Sequence, residues 1–283
     1  MSWWNRLVVA AVGTNPLTSY TRLGFAVRRG AFDGADLSVD LTGRVALITG
    51  ANSGIGFVTA RELARRRARV FMLCRDAGRA QDAAARIRAE VPQAALEVRA
   101  LDVGRLDQVR RFAEGLELPA VDILVQNAAV LPAERRLTPE GLEETLAPNL
   151  VGPYLLTELL RPKLALSPDA RLVLVSSGGM YPRTLDVATL HHEKGAFDGM
   201  TAYADSKRAL IELSEHWAAT WPASITVSGM HPGWADTPGV VRALPTFHKL
   251  TRLLLRSPEE SADTVIWLAA STKARGRSGL FWF

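Results

Sequence analysis

Short runs of β-branched and aliphatic residues alternate with longer segments of helical periodicity from residue 44 to the end of this 283-residue chain. The short runs do not alternate polar with apolar positions. That pattern predicts strands buried on both faces, as in a parallel sheet covered by helices. The predicted strands are residues 44–49, 69–74, 96–101, 121–126, 171–176, 224–229 and 279–283.

The longer segments predict helices, because their apolar positions recur every three or four residues. They are residues 54–67, 77–91, 105–117, 138–166, 201–219 and 258–271. The βαβ order repeated along the chain predicts an α/β fold, a doubly wound parallel sheet with helices on both faces. We expect one domain over residues 42–283, preceded by an extension over residues 1–41.

Two segments fall outside this alternation. Residues 1–41 carry apolar side chains and arginines that favour a helix packed on the body or on a partner, with peripheral membrane contact as the alternative. The apolar face would comprise Trp3, Trp4, Leu7, Val8, Ala11 and Val12, with Arg6, Arg22, Arg28 and Arg29 near lipid. Residues 236–257 are apolar and interrupted by proline, which suggests a mobile lid. The run at 7–12 is too short to span a bilayer, and no clear signal peptide precedes the domain.

Composition narrows the classes of function. The chain is 48% hydrophobic with a formal charge of +5, but its arginines are scattered over the helical segments, which argues against nucleic-acid binding. The single cysteine, Cys74, lies in an apolar run and cannot form an intramolecular disulfide. We therefore expect a cytoplasmic protein, with membrane association left open.

A glycine-rich turn, TGANSGIG at 49–56, links the first predicted strand to the first predicted helix. Glycines permit a tight turn there, and the backbone amides and the helix N-terminus can then approach a pyrophosphate. This predicts a nucleotide site formed by Gly50, Asn52, Ser53, Gly54, Ile55 and Gly56.

The spacing of these glycines resembles the TGxxxGxG signature of the short-chain dehydrogenase/reductase family. The resemblance covers residues 43–283 and implies a Rossmann-type sheet and a nicotinamide cofactor. Asp102 in LDV matches the family residue that contacts adenine, and Val103 follows it. The segment LVQNAAV is similar to the family's NNAG, with Asn127 and Ala128 matching.

The end of the second strand indicates which cofactor is bound. An acidic side chain there would favour NAD(H), whereas an arginine offers a charged fork to the 2′-phosphate of NADP(H). The sequence has Cys74 and then Arg75, so NADP(H) is favoured over NAD(H). Asp76 is interpreted as the cap of the next helix.

The segment YADSK at 203–207 carries the strongest chemical signal. Residues four apart share a helix face, so Tyr203 and Lys207 can point at one bound molecule. A cation about 4 Å from the phenol gives roughly 4 kcal/mol at an effective dielectric near 20, the size needed to lower a tyrosine pKa by about 2–3 units. The positively charged nicotinamide of the oxidised cofactor would assist. No spacing typical of metal ligands occurs.

The family resemblance assigns roles to these positions. Tyr203 is the general acid/base, Lys207 holds the nicotinamide ribose, Ser177 in VSSGGMY binds the substrate oxygen, and Asn149 supports a water in the proton relay, within a helix that Pro148 kinks. Pro232, Gly233 and Thr237 match the family's PGxxxT around the nicotinamide. His231, Ser176 and Tyr181 are interpreted as structural, with Tyr181 forming a pocket wall.

Three segments, SSGGM, FDGMTAY and HPGWADTPGV, resemble the retinol-dehydrogenase-like branch and, within it, the group of dehydrogenase/reductase SDR family member 12. Relatives on this branch act on retinoid, steroid or aliphatic carbonyls. Val130, Leu131, Met180 and Trp234 flank the expected reaction centre and favour an apolar substrate.

The predicted function is NADP(H)-dependent interconversion of a lipophilic carbonyl and its alcohol. The alternative is a protein of the same fold that binds NADP(H) as a sensor or scaffold without turnover. The family often dimerises through the helices that carry Asn149 and Tyr203, so a homodimer stays open.

Overall fold

The computed structural model describes residues 19–30 and 32–283. Seven strands lie within them: β1 (Val45–Thr49), β2 (Arg69–Cys74), β3 (Leu96–Ala100), β4 (Ile123–Gln126), β5 (Ala170–Val175), β6 (Ile225–Met230) and β7 (Leu280–Trp282). They form one sheet in the order β3-β2-β1-β4-β5-β6-β7, and every neighbouring pair is parallel. The predicted doubly wound sheet is confirmed.

Within the described residues one helix precedes β1, and the others lie in the connections between successive strands. In the described part of the chain they are α1 (Arg22–Arg29), α2 (Gly54–Arg65), α3 (Ala77–Glu90), α4 (Leu106–Glu114), α5 (Gly152–Ala165), α6 (Gly199–Thr220), α7 (Pro238–Ala243), α8 (Pro245–Thr251) and α9 (Pro258–Ala270). Within residues 19–30 and 32–283, no helix has the length and apolar character needed to span a bilayer.

The sheet divides the core into two layers. One apolar cluster packs its side chains between the sheet and helices α2, α3 and α9. The other lies on the opposite face, against α4, α5 and α6. Burial of both strand faces explains why the strands lack polar alternation. Because the chain returns from β3 to β4 beside β1, a crevice forms at the carboxyl ends of β1 and β4.

The predicted helix over 138–166 is wrong in its first third. Leu137 and Glu143 form an isolated antiparallel bridge around a turn in which Gly141 has φ +80°. The buried Glu143 carboxylate then accepts hydrogen bonds from the amides of Thr145 and Leu146, at 2.8 and 2.9 Å. These bonds satisfy donors at the start of the next helical turn, so the helix begins only after the bridge.

The kink expected at Pro148 takes the form of a π-helical turn, Ala147–Val151, directly before α5. Proline has no N–H to donate, so it fits a place where the regular bonding pattern of the helix changes. The backbone here packs closely on the chain after β3, because a Cβ placed on Gly152 would lie 1.7 Å from the Val103 carbonyl oxygen.

The described part of the N-terminal extension packs on the body of the domain. The amide of Arg22, at the start of α1, donates to the Leu254 carbonyl oxygen at 2.9 Å. The expectations for Trp3, Trp4 and Arg6 lie outside the described residues. Residues 236–257 contain the short helices α7 and α8, and the predicted mobility of this segment stays a prediction.

Candidate active site

A cleft of about 1720 Å³ opens at the carboxyl ends of the strands. Sixteen sequence-predicted site residues line it: Gly50, Asn52, Ser53, Gly54, Ile55, Arg75, Asp102, Val103, Asn127, Ala128, Ser177, Tyr203, Lys207, Pro232, Gly233 and Thr237. Two others, Gly56 and Asn149, lie behind its wall. The fold therefore gathers into one place residues that are up to 187 positions apart.

The glycine turn lies at the floor of this cleft, between β1 and α2. Gly50 and Gly54 have φ of +67° and +55°, a region that favours glycine. Gly56 does not face the cleft, and a Cβ there would lie 2.4 Å from the Gly50 carbonyl oxygen. Its role is to let α2 pack against the turn, so that the N-terminus of the helix points at the cleft.

Thr49, which the sequence analysis did not select, fixes the turn to the end of β4. Its hydroxyl oxygen accepts from the amides of Asn127 and Ala128 at 2.9 and 3.0 Å. Asn127 Nδ2 donates in return to the carbonyl oxygens of Thr49 and Gly50, at 3.0 and 3.3 Å. Asn127 thus braces the turn. Gln126 Oε1 accepts from the Thr49 hydroxyl at 3.5 Å, and its Nε2 donates to Thr157 Oγ1 at 3.1 Å.

At the end of β2, Arg75 is exposed on the cleft and forms no ion pair within the described residues. Cys74 beside it is buried, and burial raises the pKa of its thiol to about 11. Asp76 accepts from the Arg79 amide at 3.0 Å and from its Nε at 2.7 Å. The expectation that Asp76 caps the following helix is confirmed.

The adenine end of the predicted cofactor site is formed by Asp102 and Val103. The Asp102 carboxylate accepts from the Gly104 amide at 2.9 Å, and its own amide donates to Gln108 Oε1 at 3.1 Å. These bonds fix the turn after β3 at the cleft edge.

Tyr203 and Lys207 face the cleft from the first half of α6. Lys207 is 2% exposed, and its Nζ donates to the Val175 carbonyl oxygen at 2.9 Å. Burial lowers the pKa of Lys207 to about 8. The Nζ lies 5.8 Å from the centre of the Tyr203 ring. The shared helix face predicted from the spacing is present.

The pKa of the Tyr203 phenol depends on its burial. Burial raises the pKa of the Tyr203 phenol above its ordinary value, and a hydrogen bond with the Ser177 side chain opposes that shift. Lys207 does not contribute to the shift. We expected Lys207, assisted by the oxidised nicotinamide, to lower this pKa, and that expectation for the cofactor-bound protein stays a prediction.

The three hydroxyls of VSSGGMY separate as the sequence analysis expected, except in one respect. Ser176 is buried and donates to the Lys207 carbonyl oxygen at 2.9 Å. Ser177 faces the cleft and accepts from the Gly179 amide at 3.2 Å. Tyr181 is half exposed and stacks on Tyr20, outside the cleft, so its assignment as a pocket wall is wrong.

Asn149 lies in the π-helical turn and is fully buried. Its Oδ1 accepts from the Val130 amide at 2.8 Å, and its Nδ2 donates to the Val130 carbonyl oxygen at 3.0 Å. A third bond, to Ser206 Oγ at 3.2 Å, connects it to α6. Its side chain therefore connects the chain after β4 to the helix that carries Tyr203.

After β6 the chain turns across the cleft through Pro232 and Gly233. Gly233 has φ +76°, and a Cβ there would lie 2.7 Å from the Tyr20 carbonyl oxygen. Thr237 caps α7 by accepting from the Val240 amide at 3.3 Å, and its methyl lies against Gly54. The segment thereby closes over the glycine turn.

His231 is buried at the end of β6, as a structural residue would be. Its Nδ1 accepts from the Gly233 amide at 3.3 Å, and its ring stacks on Phe283 at 4.1 Å. Burial lowers its pKa to about 3. Within residues 19–30 and 32–283 no cluster of side chains could hold a metal ion.

Tyr20 is a cleft residue that sequence reasoning missed. Its carbonyl oxygen accepts from the Trp234 amide at 2.8 Å, and its ring packs against Gly178 and edge-on to His231. Buried Arg256 holds the same segment by donating to the carbonyl oxygen of Ser19 at 2.8 Å. No pattern around Tyr20 signals this position, because all its partners lie more than 150 residues later.

The substrate end of the cleft has an apolar wall. Val130, Leu131 and Trp234 line it as predicted, and Phe247 from α8 packs edge-on against Trp234 with ring centres 5.4 Å apart. Met180 is 2% exposed and does not line the cleft, so that assignment is wrong.

The residues of the cleft fit a phosphorylated dinucleotide. A side chain on Gly56 would collide with the glycine turn. The turn presents backbone amides and a helix N-terminus, which are donors for phosphate oxygens. Exposed Arg75 lies at one end of the cleft and Tyr203 and Lys207 at the other. NADP(H) likewise carries its 2′-phosphate at one end, its pyrophosphate in the middle and its reactive nicotinamide ring at the other end.

Comparison with known proteins identifies the family. The profile described as short chain dehydrogenase matches residues 44–245. The chain is 41% identical over 283 residues to human dehydrogenase/reductase SDR family member 12, covering 99% of this chain and 88% of that protein. Human retinol dehydrogenase 14 is 35% identical over 263 residues, covering 84% and 77% respectively.

A solved structure from Shigella flexneri, crystallised in complex with NADP, matches 87% of this chain and 98% of its own with 25% identity and a TM-score of 0.70. The resemblance that the sequence motifs indicated is confirmed by these matches. The chain belongs to the short chain dehydrogenase family of oxidoreductases.

Proposed function

We propose that the protein is an NADP(H)-dependent oxidoreductase that interconverts a lipophilic carbonyl and its alcohol. The observation that carries the proposal is the convergence of Ser177, Tyr203 and Lys207 on the cleft that also contains the glycine turn. Human retinol dehydrogenase 14 is a relative on this branch, and the apolar wall at Trp234 suits a substrate of similar lipophilic character.

Three side chains of the cleft have separate roles in this reaction. Tyr203 is the proton donor to, or acceptor from, the substrate oxygen, and Ser177 hydrogen-bonds the same oxygen. Lys207 would hold the ribose of the cofactor. When bound, NADP(H) supplies or accepts the hydride. Burial raises the pKa of the Tyr203 phenol, a direction that favours the protonated form needed for proton donation during carbonyl reduction.

We propose NADP(H) rather than NAD(H) because Arg75 lines the cleft and forms no ion pair with any described residue, while the adjacent carboxylate, Asp76, is bound to Arg79. Asn149 is proposed as a positioning residue, since its side chain is saturated by Val130 and Ser206. The division into residues 1–41 and 42–283, the cytoplasmic location and a homodimer stay predictions.

Oxidation of NADPH in the presence of a carbonyl panel tests this function. We expect the absorbance of NADPH to fall with retinal, steroid ketones and medium-chain aldehydes, and to fall much more slowly with small polar ketones. Turnover restricted to polar ketones would contradict the lipophilic assignment. Tight NADPH binding with background oxidation on every carbonyl would instead support the sensor or scaffold alternative.

Tyr20→Ala should weaken substrate binding without affecting the cofactor. Tyr20 lines the cleft. Without its ring a lipophilic carbonyl would bury less apolar surface on binding, so KM should rise about tenfold or more. The dissociation constant for NADPH, measured by fluorescence titration, should stay at the wild-type value. Tyr20→Phe is the matched control and should retain KM, and an unchanged KM in Tyr20→Ala would remove this residue from the substrate site.

A further inference from the structure

An exposed apolar surface beside the cleft is formed by the end of α8, the turn that follows it and the start of α1. Four leucines form it, and we call them the leucine patch: Leu23, Leu250, Leu253 and Leu254, exposed by 58, 79, 79 and 44%. The Arg22 amide donates to the Leu254 carbonyl oxygen at 2.9 Å, so the start of α1 and the turn after α8 form one continuous surface.

The orientation of α8 explains the exposure. Phe247 turns inward, where it lines the cleft and packs on Trp234. Leu250, near the end of α8, and Leu253, in the turn after it, are both exposed to solvent. The side chains that shield the substrate end and those that form the leucine patch therefore belong to opposite faces of the same segment.

Four exposed cations belong to the segments that carry the leucine patch. Lys249 and Arg252 form a second row, also three residues apart, beside Leu250 and Leu253. With Arg22 and Arg242 they are the patch cations, all exposed and without an ion pair among the residues that the structure describes. Elsewhere on the surface most arginines contact a carboxylate, as Arg65 contacts Glu90 at 2.9 Å.

Acidic side chains are missing from both segments that form this surface. Residues 19–30 and 238–256 contain no aspartate or glutamate. The nearest acidic residue in sequence is Asp236, and its carboxylate is bound to His248 at 2.9 Å. A surface that combines exposed leucines with cations alone is complementary to an apolar layer with a negatively charged boundary.

We propose that the leucine patch and the patch cations dock the protein on an anionic lipid bilayer. The leucines enter the boundary between headgroups and acyl chains, and the cations contact lipid phosphates and carboxylates. Because Arg242 belongs both to the patch cations and to the lining of the cleft, the mouth of the cleft then lies next to the bilayer. A lipophilic substrate dissolved in the membrane can enter the cleft without crossing water.

This surface differs from the apolar residues predicted at the start of the chain. It is formed by the end of α8, the turn that follows it and the start of α1. Membrane docking goes beyond the proposed function, because it does not depend on whether the protein turns over a carbonyl.

Vesicle co-sedimentation of the full chain tests the proposal. We expect the wild-type chain to bind phosphatidylcholine vesicles that contain about 30% phosphatidylserine, and to bind pure phosphatidylcholine much more weakly. The L250S/L253S variant should lower the partition coefficient about tenfold or more. The K249Q/R252Q variant should lower it by about fivefold per cation at low salt.

Matched controls lie away from the surface. Leu166 is 70% exposed at the end of α5, and Arg110 on α4 is exposed without an ion pair among the described residues. Leu166→Ser and Arg110→Gln should bind vesicles like the wild type. Circular dichroism and the thermal midpoint of each variant report that it is folded, since all these positions are on the surface.

Three outcomes would overturn the proposal. One is equal partition of L250S/L253S and the wild type, which would assign any vesicle binding to another part of the chain. Another is equal binding to charged and uncharged vesicles. The third is a change of L250S/L253S from dimer to monomer with unchanged vesicle binding, which would make the leucine patch an interface between copies.

Discussion

Replacing Tyr203 by phenylalanine should lower kcat by about 10²- to 10⁴-fold, the usual contribution of a general acid or base. The substituted side chain keeps the ring that packs in the cleft but loses the hydroxyl that exchanges a proton with the substrate oxygen. Affinity for NADPH should therefore stay near the wild-type value. Single-turnover kinetics and a fluorescence titration of NADPH check both parts.

Tyr181→Phe is the matched control for this substitution. Tyr181 is only 22 residues away and equally aromatic, but it is half exposed and lies outside the cleft. It should keep full activity. Retained turnover in Tyr203→Phe, with lost turnover in Tyr181→Phe, would reverse the assignment of the two hydroxyls.

Replacing Arg75 by glutamate should reverse the cofactor preference. A charge-assisted hydrogen bond contributes about 1.5–3 kcal/mol, which corresponds to roughly a 10- to 150-fold change in affinity. We expect the dissociation constant for NADPH to rise by at least this factor, because glutamate also repels the 2′-phosphate, while that for NADH changes little or falls. Parallel titrations with the two cofactors measure the ratio.

Arg99→Gln is the corresponding control. Arg99 is exposed at the end of the neighbouring strand β3, is paired with Glu97 at 2.7 Å and does not line the cleft. Its substitution should leave both dissociation constants unchanged. If Arg75→Glu does the same, the 2′-phosphate is bound elsewhere and the proposed preference for NADP(H) loses its basis.

Much of the fold was predictable because its signals are local. The glycine turn at 49–56 needs only neighbouring residues to adopt its conformation, and Asp76 caps a helix through the amide three positions later. The 138–166 helix was mispredicted because its limit depends on Glu143, a buried carboxylate whose bridge to Leu137 overrides a helical pattern.

The site was predicted in part for the same reason. Tyr203 and Lys207 share a face because a helix repeats every 3.6 residues, whatever surrounds it. Their pKa values depend instead on burial, and burial raised the pKa of the tyrosine where the spacing alone suggested a lowered one. Met180 and Tyr181 were misplaced because one turn after β5 decides which side chains face the cleft.

The sequence by itself determined the order of strands and helices, the glycine turn, and which tyrosine stands one helical turn from a lysine, since each of these follows from periodicity and backbone preference within a few residues. Only the tertiary structure decided that Tyr20 enters the cleft, that Arg256 holds it there, and that Leu250 and Leu253 remain uncovered. Those features join segments more than 200 residues apart, and packing between distant segments leaves no periodic signal in either of them.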